Sequence, residues 1–143
     1  METLPHTYDV DVNATAEGGI STQCAGAPGL TVNAPAQFGG PGDAWSPETL
    51  FLAAVANCFV LTFRAVSQAS RLEWKNLDCR AVGVLDKQDG KMRFTEVQLT
   101  AELGLAASED EDKALRMMQK AEENCLVSNS LAVPVVLQAT VNR

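Results

Sequence analysis

Apolar and polar residues alternate over positions 8 to 14. Tyr8, Val10, Val12 and Ala14 fall on one side, and Asp9, Asp11 and Asn13 on the other, the period of a half-buried strand. Gly18-Gly19 marks a turn. Residues 20–25 and 30–34 predict two further strands, separated by Gly26-Ala27-Pro28-Gly29. Residues 35–45, with two prolines and three glycines, predict a loop. Ser46 is then a good N-cap, with Pro47 at the first helical position and Glu48 in the first turn, where the helix dipole favours an acid. The pattern predicts that this helix runs to about Ser70. Residues 76–87 and 91–104 predict a β-hairpin around Gln88-Asp89-Gly90. Ser108 with Glu111 has the spacing of a capping box for a second helix. Ala114, Leu115, Met118 and Ala121 form its apolar stripe, which Cys125 continues. Pro134 to Val141 predicts a last strand. The order βββαββαβ makes the expected class α+β, with a mainly antiparallel sheet. At 143 residues and without an internal repeat or linker, residues 1–143 are expected to form a single domain.

Residues 50–63 are the most apolar stretch, and Arg64 ends it. Fourteen residues fall short of the roughly 20 that cross a bilayer, so no membrane span is expected. A helix apolar on nearly every face must be covered nearly all round. One sheet covers one side, so a second subunit is expected on the other. The hydrophobic fraction of 46% fits an added buried surface of that kind. A net charge of −7 repels phosphate backbones and anionic lipid, which argues against nucleic-acid and membrane-surface roles.

The candidate chemistry lies in the four cysteines, Cys24, Cys58, Cys79 and Cys125. None is in a Cys-x-x-Cys pair and His6 is the only histidine, so neither a metal site nor a bound cofactor is expected. No signal peptide is visible at Met1–His6, and a cytoplasmic location, with reduced thiols, is the expectation. Cys79 alternates with Leu77 and Ala81, and Cys24 with Ile20 and Thr22, so both are expected in the core. Taken alone, Cys58 in its apolar run and Cys125 on its helical stripe also read as small hydrophobes. Ser128, Asn129 and Ser130 give Cys125 polar surroundings. Trp45, just before the helix, suits a hydrophobic staple or an interface.

Two phrases change that reading. Residues 41–59 contain Ser46-Pro47-Glu48-x-Leu50-Phe51-x-Ala53-Ala54-x-x-x-Cys58, and residues 125–130 read Cys-Leu-Val-Ser-Asn-Ser. Both, with their 67-residue separation and the element order, closely resemble the osmotically inducible protein C and organic hydroperoxide resistance (OsmC/Ohr) family. The resemblance implies an intertwined homodimer with a long buried central helix and two sites at its interface. It implies a thiol peroxidase that reduces organic hydroperoxides to alcohols in oxidative stress defence. Cys58 would be the peroxidatic thiol and Cys125 the resolving thiol, closing a disulfide that an external dithiol reduces, in relatives often a lipoylated protein. Phe51 and Phe59 would supply an apolar wall for bulky peroxides.

Glu48 matches the acidic site residue of that family. It lies ten residues before Cys58, about 15 Å along one helix, so it is expected to serve the site of the partner subunit. The chain departs from the family at one point. The stretch Glu17–Thr22 lacks the activating arginine, and no lysine or arginine precedes Arg64. The alternative reading is therefore a non-catalytic module that binds an apolar ligand at the dimer interface.

Overall fold

The computed structural model describes residues 1–143, in two compact units, Met1–Leu50 and Phe51–Arg143. The first unit carries a three-stranded antiparallel sheet, β1 (Asp11–Asn13), β2 (Ile20–Gln23) and β3 (Leu30–Val32), in the order β1-β2-β3. These strands are shorter than the alternation predicts, and Tyr8 and Val10 lie outside them, exposed. Cys24 falls just past β2 and is exposed, so its expected place in the core is corrected. A strand needs a partner for every residue it keeps, and β1 has only three partners on β2.

A single 3-10 turn at Ala36–Phe38 follows, and Trp45 then bridges back to Val32. Trp45 is about half exposed, with a relative accessibility of 48%. Ser46 caps the next helix as expected: its hydroxyl accepts from the Thr49 N–H at 3.2 Å, and the Thr49 hydroxyl accepts from the Ser46 N–H at 2.9 Å. Helix α1 runs unbroken over Pro47–Ala69.

The second unit is built on a sheet of β4 (Trp74–Gln88), β5 (Lys91–Leu105) and β6 (Val135–Asn142). β4 and β5 form the expected hairpin, and Asp89 and Gly90 take φ of 53° and 78° in a two-residue turn, the paired positive angles that suit the strand twist. β6 lies parallel to β5, so the sheet is mixed. That connection needs a crossover, which α2 (Glu111–Glu123) and the short α3 (Leu126–Asn129) provide.

Helix α2 starts later than its capping-box spacing predicts. Asp110 is the N-cap, accepting from the Asp112 N–H at 2.8 Å and the Lys113 N–H at 3.3 Å. An aspartate nearer the start displaces Ser108 because its carboxylate reaches two orphan amides at once.

The central strand β5 buries Val97, Leu99, Ala101, Leu103 and Leu105 on one face. They join Val55, Phe59 and Phe63 of α1 and Ala114, Met118 and Ala121 of α2 in one core. Trp74 closes one end, its ring 5.4 Å from Phe63 and its indole N–H donating to Ser67 at 3.0 Å. Val55, Phe59, Phe63 and Ser67 are the only buried residues of α1, a stripe of every fourth residue. Leu61, on another face, keeps 59% of its accessible surface. The chain thus covers one side of α1, as the single-sheet argument requires. The helix is also longer than its apolar run: it has 23 residues, and an 18-residue window within it, with a mean hydropathy of 1.8, meets the length and composition of a membrane span, which corrects the length argument made from residues 50–63. Its buried stripe packs in the core nonetheless.

Candidate functional site

Cys58 is presented by the middle of α1, one helical position before fully buried Phe59. It is half-buried and free. One turn further on, Thr62 donates its hydroxyl to the Cys58 carbonyl at 2.7 Å, which leaves Thr62 Oγ1 4.0 Å from the thiol.

Cys125 comes from the break between α2 and α3. Asn124 ends α2, its side chain donating to the Lys120 carbonyl at 2.8 Å, and Cys125 becomes the N-cap of α3. Its backbone is extended and its carbonyl accepts from the Asn129 N–H at 2.9 Å. The stripe of α2 thereby carries Cys125 to full burial. Its thiol lies close enough to the Cys58 thiol to feel it electrostatically. Both are free thiols, so two cysteines 67 positions apart in sequence are neighbours in space.

Burial pushes the Cys125 thiol above its ordinary value, and the adjoining Cys58 thiol adds to this, while the Ser128 hydroxyl and backbone N–H oppose both. The polar run after Cys125 is spent unevenly. Asn129 donates its amide to the Glu123 carbonyl at 3.1 Å, and Ser130 its hydroxyl to the Leu126 carbonyl at 2.7 Å. Ser128 Oγ is buried with no hydrogen bond of good geometry.

Two further residues belong to this neighbourhood and were not foreseen as site residues. Glu122, in the last turn of α2, is half-buried with Oε2 unpartnered, and burial raises its carboxyl while the nearby Ser128 hydroxyl counters. Cys79 of β4 packs half-buried against the core, as its alternation predicts. Burial, then the charge of Glu122, pushes its thiol from 9.0 to about 11. The sequence does carry a signal for Glu122: acids at a helix C-terminus oppose the dipole, and Glu122 and Glu123 both end α2.

A cleft of about 320 Å³ lies beside this group, lined by Ala56, Asn57, Val60, Leu77, Asp78 and Cys79. Phe51 stacks on Phe94 at 4.7 Å between ring centroids. Phe59 is fully buried, and its expected role as a wall of the site is corrected: it is a core side chain. Glu48 is not brought to Cys58 within the chain, since α1 is continuous between them and their separation is about 15 Å of helix rise. Its Oε2 is buried without a partner. Arg64 is exposed. No group of His, Cys, Asp and Glu is arranged to hold a metal ion.

Comparison with known proteins agrees with this fold. A family profile described as OsmC-like protein matches residues 40–139. The uncharacterised protein YmaD of Bacillus subtilis is 26% identical over 111 residues, covering 76% of this chain and 74% of that protein. An OsmC-like protein of unknown function from Vibrio cholerae has the same fold, with a TM-score of 0.88 at 21% identity over 95% of this chain and 100% of its own. So does an organic hydroperoxide resistance protein from Elizabethkingia anophelis, with a TM-score of 0.77 at 23% identity over 100% and 99%.

Proposed function

This chain belongs to the OsmC-like protein family, and from that premise we propose that it is a thiol-dependent peroxidase reducing organic hydroperoxides. The observation that carries the reading is the meeting of two free thiols, Cys58 and Cys125, on separate elements. The Cys58 thiolate attacks the distal peroxide oxygen, the O–O bond breaks, and the alcohol leaves. The sulfenic acid on Cys58 condenses with the Cys125 thiol to a disulfide and water. An external dithiol, of lipoyl type or on a lipoylated protein, restores both thiols by exchange. No bound cofactor enters the cycle, and the reduced thiols suit a cytoplasmic setting.

The working unit in this proposal is a homodimer. Its support is the uncovered face of α1, where Leu61 stands exposed. Glu48 acts in this scheme on the site of the partner subunit, since its own helix holds it about 15 Å of rise from Cys58. The deciding assay uses cumene hydroperoxide and dihydrolipoamide with wild type and Cys58→Ser. Turnover lost in the variant is the expected result, and absence of wild-type turnover in reduced protein sinks the reading.

A second reading is favoured by one observation, the lack of any lysine or arginine before Arg64. It makes the protein a module holding an apolar ligand at the dimer interface. Native mass spectrometry of the purified protein separates the two: a co-purifying acyl ligand without turnover selects this one.

A further inference from the structure

We infer that the Thr62 hydroxyl is the group that steadies the ionised Cys58 sulfur, turning its hydrogen from the Cys58 carbonyl to the thiolate. This rests on the proposed function only in taking Cys58 as the reacting thiol. The need arises from what surrounds that sulfur. A thiol reacts as the thiolate, and a half-buried thiolate calls for a cation or a hydrogen-bond donor beside it. No lysine or arginine precedes Arg64, and Arg64 is exposed, about 240° round the helix from Cys58. From the other elements, the titratable group that faces Cys58 is Cys125, at the head of α3. Burial raises that thiol, so near neutral pH it is uncharged and supplies no positive charge.

Thr62 is placed to act instead. Between Leu50 and Phe63 the polar side chains are Asn57 and Thr62, apart from the thiol itself. Residues four apart lie one above the other on a helix, and Thr62 Oγ1 is 4.0 Å from the Cys58 thiol. Asn57 points about 100° away from Cys58, and its amide donates to the Ala53 carbonyl at 2.8 Å. Threonine is a poorer helix former than the alanine and leucine around it, and its bond back to the carbonyl one turn before does not strengthen the helix.

That bond is one the hydroxyl can release. At rest its hydrogen goes to the Cys58 carbonyl at 2.7 Å. A hydroxyl has a single hydrogen, so in the 4.0 Å contact the Cys58 S–H is the donor and Thr62 Oγ1 the acceptor. The same carbonyl also accepts from the Thr62 N–H, because α1 is continuous there, and it keeps this partner when the hydroxyl turns away. Loss of the thiol proton to water changes sulfur from donor to acceptor. Rotation about the Cβ–Oγ1 bond then carries the hydroxyl hydrogen across, with the backbone and the rest of the side chain in place. The resting separation is loose for a neutral pair, and a bond to a charged sulfur draws it shorter. Thr62 touches no substrate in this scheme and is a positioning residue for the thiolate.

Iodoacetamide tests this without peroxide, because it reacts with the thiolate. Alkylation of Cys58, followed by peptide mass spectrometry, should rise with pH in wild type. Thr62→Val keeps the shape and drops the hydroxyl. It should slow alkylation near neutral pH by about tenfold and move the rising limb to higher pH, with the two rates converging above it. Thr62→Ser should recover most of the wild-type rate, and exposed Cys24 in the same samples should react alike throughout. Should Thr62→Val fail to fold, Thr62→Ala compared with Thr62→Ser decides. A wild-type pH profile without the hydroxyl overturns the inference. So does a slowing equal at every pH, which marks a packing effect, or one that Thr62→Ser does not reverse. A shifted profile in Thr62→Val with no wild-type turnover of cumene hydroperoxide sinks the peroxidase reading alone.

Discussion

At the scale of single residues, burial sets the character of each thiol. Cys79 and Cys125 are both raised by desolvation, yet only Cys125 adjoins Cys58. A thiol raised in the fold destabilises it once the unfolded chain can ionise. The contribution of Cys79 is therefore intact below 9.0 and lost as pH rises towards about 11. Chemical denaturation of Cys79→Ala should show a flatter fall in stability across that window than wild type. Glu122 acts in the same direction at lower pH. Its carboxyl is raised from 4.5, so stability declines as pH climbs past that value and the buried group ionises. Glu122→Gln should match wild type near pH 4 and gain on it at neutral pH, and an equal difference at both would show that burial does not perturb the group. Cys24 had the same alternation argument as Cys79 and the opposite outcome. Alternation names a face but not what covers it, and β2 ends before Cys24.

Among the elements, the short segments carry the local tests. Asp110 holds two amides of α2 while Ser108 holds none. Asp110→Ala should cost about 1 kcal/mol in thermal unfolding, and Ser108→Ala much less. The reverse order would restore the capping-box assignment. The crossover from β5 to β6 was legible as a helix followed by a strand, but its parallel register was not. Nothing in an alternating eight-residue strand distinguishes a parallel from an antiparallel neighbour. Helix α3 was likewise invisible, because four residues fall below any periodic signal. It is nevertheless what turns Cys125 from the continuation of a stripe into the cap of a new helix.

For the molecule as a whole, the half-covered helix α1 makes the strongest demand. Its stripe of Val55, Phe59, Phe63 and Ser67 is buried and its other faces are not. In the proposed homodimer a charge at Leu61, exposed at 59% in the single chain, would stand in a dry interface and cost several kcal/mol. Leu61→Lys should lower the mass seen in light scattering from dimer to monomer and remove peroxidase turnover with it. A wild type that is monomeric at micromolar concentration would remove the homodimer from the proposal.

The sequence alone determined the order of the elements, the cap and extent of α1, the hairpin at Asp89-Gly90 and the family. These depend on local period, turn chemistry and two contiguous motifs, all written within a few residues of one another. The tertiary structure decided which thiols are neighbours, that Phe59 is a core side chain, and that Glu122 Oε2 and Ser128 Oγ are buried without partners. Those facts depend on how deeply α1, β4 and the α2–α3 break pack on one sheet, and desolvation is a property of that packing rather than of any short stretch of chain.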